Sequence, residues 1–130
     1  MRILVVDDEE DSRELLRALL ESQGVTVDAA SSAGEALLKL QNLPVDLLIS
    51  DIGMPGEDGY ALVRHLRGLP LQSKANIPAI ALTAFVRRED RERALREGFD
   101  AHLGKPIDFP ALLSLVARLS LKTVKQPNSG

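Results

Sequence analysis

Short apolar runs alternate along this chain with longer stretches in which apolar residues return every three or four positions. The first run, residues 3–6 (Ile, Leu, Val, Val), ends abruptly in the acids Asp7, Asp8, Glu9, Glu10 and Asp11. A run so short and rich in β-branched residues predicts a buried strand. Over residues 12–23, Leu15, Leu16, Leu19 and Leu20 recur at helical spacing, and Gly24 is placed to end that helix. Residues 25–29 predict a second strand. Ser32 and Glu35 have the spacing of a capping box for a helix carrying Ala36, Leu37 and Leu40, closed by Pro44.

A third strand, 45–50, leads directly to Asp51, and the turn formers of 53–59 predict a loop. Helical spacing returns over 61–69, whereas 68–78, with two prolines, predicts an irregular surface stretch. Residues 79–82 predict a fourth strand, followed by Thr83 and Ala84. The charged stretch 87–97 predicts a solvated helix with Glu89/Arg93 and Glu92/Arg96 at i,i+4 spacing, stopped by Gly98. A short fifth strand, 101–103, precedes a turn at Gly104, Lys105 and Pro106, and Asp108 caps a last helix through Leu119. Strict alternation of five strand–helix units implies right-handed crossovers onto one parallel sheet covered on both faces. The expected organisation is one α/β domain over 1–121, with 122–130 a flexible tail or linker.

Composition narrows the function. The chain has 130 residues, and 45% are apolar but only 3% aromatic, so the core is aliphatic. A net charge of −3, from 16 basic and 19 acidic residues, argues against direct nucleic-acid binding. Cysteine is absent, which excludes disulfides, thiolate catalysis and thiolate metal sites. No apolar run approaches the roughly 20 residues that span a bilayer, and nothing at the amino terminus reads as a signal peptide. A cytoplasmic domain with no membrane insertion of this segment is expected.

In an open parallel sheet, ligands bind beyond the carboxyl ends of the strands. Those ends carry Asp7 and Asp8, Asp51, Thr83 and Lys105. Alone, Asp7 and Asp8 have an ordinary use as caps of the first helix. Brought together, three carboxylates repel one another unless a hard divalent cation relieves them, and Mg²⁺ takes one or two carboxylates plus a phosphate oxygen. Lys105 and Thr83 suit the remaining phosphoryl oxygens, and a carboxylate, Asp51 being the best placed, is a competent nucleophile. No G-x-x-x-x-G-K-[ST] loop or G-x-G-x-x-G turn supports a nucleotide-binding alternative. Gly53 stands where an aspartate-nucleophile phosphatase needs its second acid.

The segments at 5–9 (VVDDE), 46–55 (DLLISDIGMP), 82–84 (LTA) and 104–106 (GKP) resemble the four signatures of response-regulator receiver domains, in the same order. The resemblance spans about residues 2–120. It implies a flavodoxin-like three-layer sandwich with strand order 2-1-3-4-5. It also implies Asp51 as phosphoacceptor, Asp8 as a direct Mg²⁺ ligand, Asp7 as a water-mediated one, and the backbone carbonyl of Gly53 completing the metal shell. Mn²⁺ is an expected substitute. Thr83 and Lys105 would grip the phosphoryl group, and the bond between Lys105 and Pro106 would be cis.

The implied partner is a histidine kinase or phosphotransfer protein, together with a downstream protein target. The domain would catalyse its own phosphorylation and dephosphorylation. Residues 50–56 and 98–107 resemble receivers of hybrid histidine kinases in particular. The alternative is a receiver-like interaction module that works without phosphate. In one departure from the family pattern, His102 stands where Tyr or Phe often serves with Thr83 as a switch. Gly53 and Phe85 flank the expected phosphoryl position, where they would tune access: small Gly53 leaves the acceptor open and Phe85 screens it from water.

Overall fold

The computed structural model describes residues 1–54, 58–84 and 87–125, and side chains through Ser120. Five strands, β1 (Arg2–Val6), β2 (Thr26–Ala30), β3 (Leu47–Asp51), β4 (Ala79–Thr83) and β5 (Ala101–Gly104), form one parallel sheet in the order β2-β1-β3-β4-β5. Helices α1 (Glu10–Glu21), α2 (Ala33–Asn42), α3 (Gly59–Arg67), α4 (Gln72–Ala75), α5 (Arg88–Glu97) and α6 (Phe109–Lys125) occupy the connections and the end of the chain. This is the α/β architecture that the alternation of elements predicts, with the strand order that the family resemblance implied.

Alternation along the central strands divides the core into two layers. Ile3, Val5, Leu47, Ile49, Ile80 and Leu82 face α1 and α6, where Leu16, Leu20, Leu112, Val116 and Leu119 meet them. Leu4, Val6, Leu48, Ala79 and Ala81 face the other layer, with Leu40 of α2, Leu62, Val63 and Leu66 of α3, and Ala94 of α5. Because β1, β3 and β4 are buried on both faces, their sequences are apolar at nearly every position.

The local signals act as expected at several ends. Ser32 accepts a hydrogen bond from the Glu35 backbone N–H at 3.2 Å, and Glu35 reaches back to the Ser31 N–H at 3.1 Å. Asp108 accepts from the Ala111 N–H at 3.2 Å. Gly24 and Gly98 follow helices with φ of 83° and 130°, conformations that side-chain-bearing residues seldom adopt.

Three features differ from the sequence reading. The stretch expected to be irregular contains α4, one helical turn held by distant groups. Arg67 donates to the carbonyls of Ala75 (2.8 Å), Ile77 (2.6 Å) and Gly98 (2.9 Å) and pairs with Asp100, while Lys74 donates to Leu40 and Leu43. A turn fixed by such long-range bonds leaves no periodicity to read. Within residues 87–97 the ion pairs are Arg88–Glu92 and Arg87–Asp90 instead of those expected, Glu97 pairs with Arg64 of α3, and Arg93 lies 4.2 Å above the ring centroid of buried Tyr60. The cation finds an aromatic face more rewarding than a solvated carboxylate. Finally, α6 continues beyond Leu119 to Lys125. Among the described residues, no helix is long and apolar enough to cross a membrane.

Candidate functional site

The register of the sheet sets the ends of four strands side by side. Val6 pairs with Ser50, Asp51 with Leu82, and Thr83 with Gly104, so the residues that end or follow β1, β3, β4 and β5 share one edge. Carboxylate oxygens of Asp7, Asp8 and Asp51 lie within 4.8 Å of one another. The Lys105 ammonium sits 3.3 Å from Asp51 and 3.4 Å from Asp7. Asp7, Asp51 and Thr83 are buried and Asp8 is exposed, so the cluster opens to solvent on the Asp8 side. The Lys105–Pro106 bond is cis, as the sequence resemblance implied.

Capping does not account for the two leading acids. The N-cap position of α1 is held by Glu9, whose side chain makes no capping hydrogen bond. Asp7 instead accepts from the Glu9 N–H at 2.9 Å through Oδ1, with Oδ2 turned to Lys105. Asp51 accepts from the Gly53 N–H at 3.3 Å.

Two opposed charge effects meet here. Burial pushes the Asp51 carboxyl above the usual carboxylate range; Lys105 opposes that shift and Asp7 adds to it. Burial also works against the Lys105 ammonium, but Asp51 and Asp7 outweigh it, and its pKa rises above the ordinary lysine value. Three carboxylates against one ammonium leave the pocket short of positive charge. An all-oxygen set with that deficit fits a hard divalent cation such as Mg²⁺.

The other expected residues are placed as follows. Gly53 is exposed, and a Cβ built on it would meet none of the described residues within 4 Å. Phe85 lies outside the described residues. His102, half-buried on β5, pairs with Ala81 of β4, one alternation back from the pairing of Thr83 with Gly104. Thr83 and His102 therefore point to the same face of the sheet, toward the α5 layer.

Three residues close to the site escaped the sequence reading. Ser50, fully buried, donates its hydroxyl to the Asp51 carbonyl at 2.9 Å. Arg13 Nη1 donates to the Asp7 carbonyl at 2.9 Å. Gly59, the first residue of α3, donates its N–H to Ile52 at 3.0 Å and packs so closely that a Cβ would lie 2.5 Å from the Asp51 carbonyl oxygen. Only Gly59 left a signal, as a glycine at the mouth of a helix behind Asp58, and that reads equally well as turn chemistry. Beside the acids, a groove of about 550 Å³ is lined by Asp7 and Lys105 and by Leu15, Leu19, Ile107 and Phe109.

Comparison with known proteins agrees with this geometry. The chain is 48% identical over 121 residues to the uncharacterized 14.6 kDa protein in the sodA1 3′ region of Leptolyngbya boryana, covering 93% of this chain and 91% of that one. It is 37% identical over 117 residues to the sensor histidine kinase RcsC of Salmonella typhi, covering 90% of this chain but only 12% of the kinase. The signal receiver domain of a signal transduction histidine kinase from Syntrophus aciditrophicus superimposes with a TM-score of 0.84 at 38% identity, covering 96% of this chain and 92% of that one. The family model for the response regulator receiver domain matches residues 3–117. That span takes in the four strand ends that build the acidic pocket and most of the last helix, so the likeness is to the whole unit and not to a motif inside it: the chain belongs to the response regulator receiver domains of two-component signalling systems.

Proposed function

We propose that this domain accepts a phosphoryl group from a histidine side chain of a kinase or phosphotransfer protein onto the carboxylate of Asp51. The observation that carries the reading is the placement of that buried carboxylate between Lys105 and two further acids, all within hydrogen-bond or metal-ligand reach. In the transfer, the donor's N–P bond breaks as an Asp51 O–P bond forms; later attack by water releases inorganic phosphate and restores the carboxylate. Asp51 and Asp8 carboxylates and the Gly53 carbonyl would hold Mg²⁺, or Mn²⁺ in its place, with Asp7 acting through water. When bound, the ion neutralises negative charge on the acids and the phosphoryl oxygens. Lys105 holds a second phosphoryl oxygen and the Thr83 hydroxyl a third. Movement of Thr83 toward the phosphoryl group, followed by His102, would carry the change to the α5 face and so to a downstream protein target.

Of the two donors, the likeness to a segment of RcsC favours a histidine kinase core, with this domain within or beside one, in the cytoplasm. The groove beside Lys105 suits an apolar helix carrying the donor histidine, since Leu15 stands 63% exposed on its rim. The receiver unit is read as 1–121, with 122–130 a tail or linker.

The test is incubation with Mg²⁺ and acetyl phosphate, followed by intact-protein mass measurement. A gain of one phosphoryl group that needs Mg²⁺ and is lost to hydroxylamine is expected. No gain, together with no spectral response to Mg²⁺ and beryllofluoride, would leave the domain as an interaction module that works without phosphate.

Gly53 gives a second prediction. In Gly53→Met, a long side chain shields the phosphorus from attacking water, and the acyl-phosphate lifetime is expected to lengthen about threefold. An unchanged or shorter lifetime would remove Gly53 from the control of hydrolysis. Phe85→Ala is expected to shorten it, through loss of the screen.

A further inference from the structure

We propose that Arg13 is a positioning residue of the acidic pocket: by holding the peptide plane between Asp7 and Asp8, it sets how tightly the site binds a divalent cation. The proposal rests on the reading of this pocket as the Mg²⁺ site of a phosphoacceptor. Arg13 is the one base between residues 3 and 16, amid a run of acids. It stands in the first turn of α1, where the helix dipole disfavours a cation. Glu9 and Glu10, four and three residues back, offer ordinary partners on the helix surface. The side chain takes neither, and Nη1 turns back to the Asp7 carbonyl at 2.9 Å in a half-buried hydrogen bond.

That bond completes the fixing of Asp7. Its N–H donates to Ala30 at 3.1 Å, Oδ1 accepts from Glu9, and Oδ2 faces Lys105, so the carbonyl is the remaining polar group. The carbonyl belongs to the rigid plane that joins Asp7 to Asp8. Holding its oxygen fixes the direction in which Asp8 leaves β1, and Asp8 is the exposed acid, without a hydrogen bond of its own among the described residues, that must nevertheless converge with the other two. Arg13 thus acts on Asp8 through the backbone, in the way outer groups orient metal ligands elsewhere.

Charge alone predicts the opposite sign, since a guanidinium near the pocket repels a divalent ion, and this makes the proposal testable. Mg²⁺ affinity would be measured by calorimetric or NMR titration of the unphosphorylated full chain, for the wild type, Arg13→Met and Arg13→Lys, with melting temperatures recorded without Mg²⁺. Arg13→Met keeps the apolar stem but removes donor and charge, and affinity is expected to fall roughly tenfold. Arg13→Lys, which retains a donor, is expected to recover part of that loss at a melting temperature close to the wild type's. Unchanged or tighter binding in Arg13→Met overturns the proposal. If Arg13→Met does not fold, Arg13→Lys decides: affinity about threefold weaker than the wild type supports the role, and equal affinity overturns it. A wild type that binds no Mg²⁺ overturns the reading of the pocket itself, which is a distinct result because the unaltered protein is then silent.

Discussion

Replacing Asp51 by asparagine is expected to abolish the phosphoryl mass gain completely and, in the absence of Mg²⁺, to make the domain more stable. The first effect follows from the amide, which cannot form the acyl phosphate. The second follows from the cost of keeping a charge there. Asp51 is buried beside Asp7, and burial is the largest influence on its carboxyl, raising the pKa in spite of Lys105. A carboxyl whose folded-state pKa is raised carries no penalty while protonated in both states. The penalty appears as pH rises past the unfolded value near 3.8, reaches its full size above the raised folded value, and is therefore present at neutral pH. Asparagine removes it without opening a cavity, and Lys105 keeps Asp7 as its partner. A rise in melting temperature of about 4 °C at pH 7 is expected, as roughly 1 kcal/mol gives in a domain of this size. Adding Mg²⁺ should narrow or reverse the difference, because the ion stabilises only the form that binds it. A variant that melts below the wild type without Mg²⁺ would mean that the Asp51–Lys105 pair outweighs the desolvation, and the pocket would then be balanced instead of waiting for a cation.

The fold and the core of the site were legible for the same reason. Each central strand is apolar until it reaches the edge, and the polar residues stand where the apolar run stops, so one pattern marks both the strand and its functional end. The parallel topology then brings Asp7, Asp51, Thr83 and Lys105 to one place without further information. What stayed hidden depends on contacts between residues far apart or on the path of a long side chain. The turn of α4 is held by Arg67, which reaches in from α3, and by its own Lys74, which reaches out to the carbonyls that end α2. Arg93 reads as one more solvated base until Tyr60 is seen beneath it. Arg13 sits at good spacing for an ion pair within its helix, and nothing in the sequence marks the backbone carbonyl it chooses. Ser50 reads as one polar residue in an apolar strand, whereas its hydroxyl is bonded to the next carbonyl along the chain.

Gly59 carries the other large expected effect, because it lies where the chain after Asp51 passes over the start of α3. Its N–H holds Ile52, and an added Cβ would come within 2.5 Å of the Asp51 carbonyl oxygen and 2.9 Å of the Ile52 Cα. Both contacts are backbone, in the strand end that aims Asp51, so no side-chain rotation relieves them. Alanine ordinarily favours a helix over glycine by up to about 1 kcal/mol. Here the overlap should exceed that gain, and Gly59→Ala is expected to destabilise the domain by about 2 kcal/mol, lowering the melting temperature by roughly 6–10 °C. Because the strain falls on the backbone of Asp51 itself, the rate of acyl-phosphate formation should drop about tenfold as well. Gly34 supplies the control. It lies in the first turn of α2 with nothing within 4 Å of an added Cβ, so the same substitution there should stabilise the domain by about 0.5–1 kcal/mol. Opposite signs for the two glycines would tie the effect to the Asp51 carbonyl, since helix propensity treats them alike. A Gly59→Ala protein as stable as the wild type, and phosphorylated as fast, would mean that α3 can slide away from the strand end at no cost, and that the backbone of Asp51 is not held from behind.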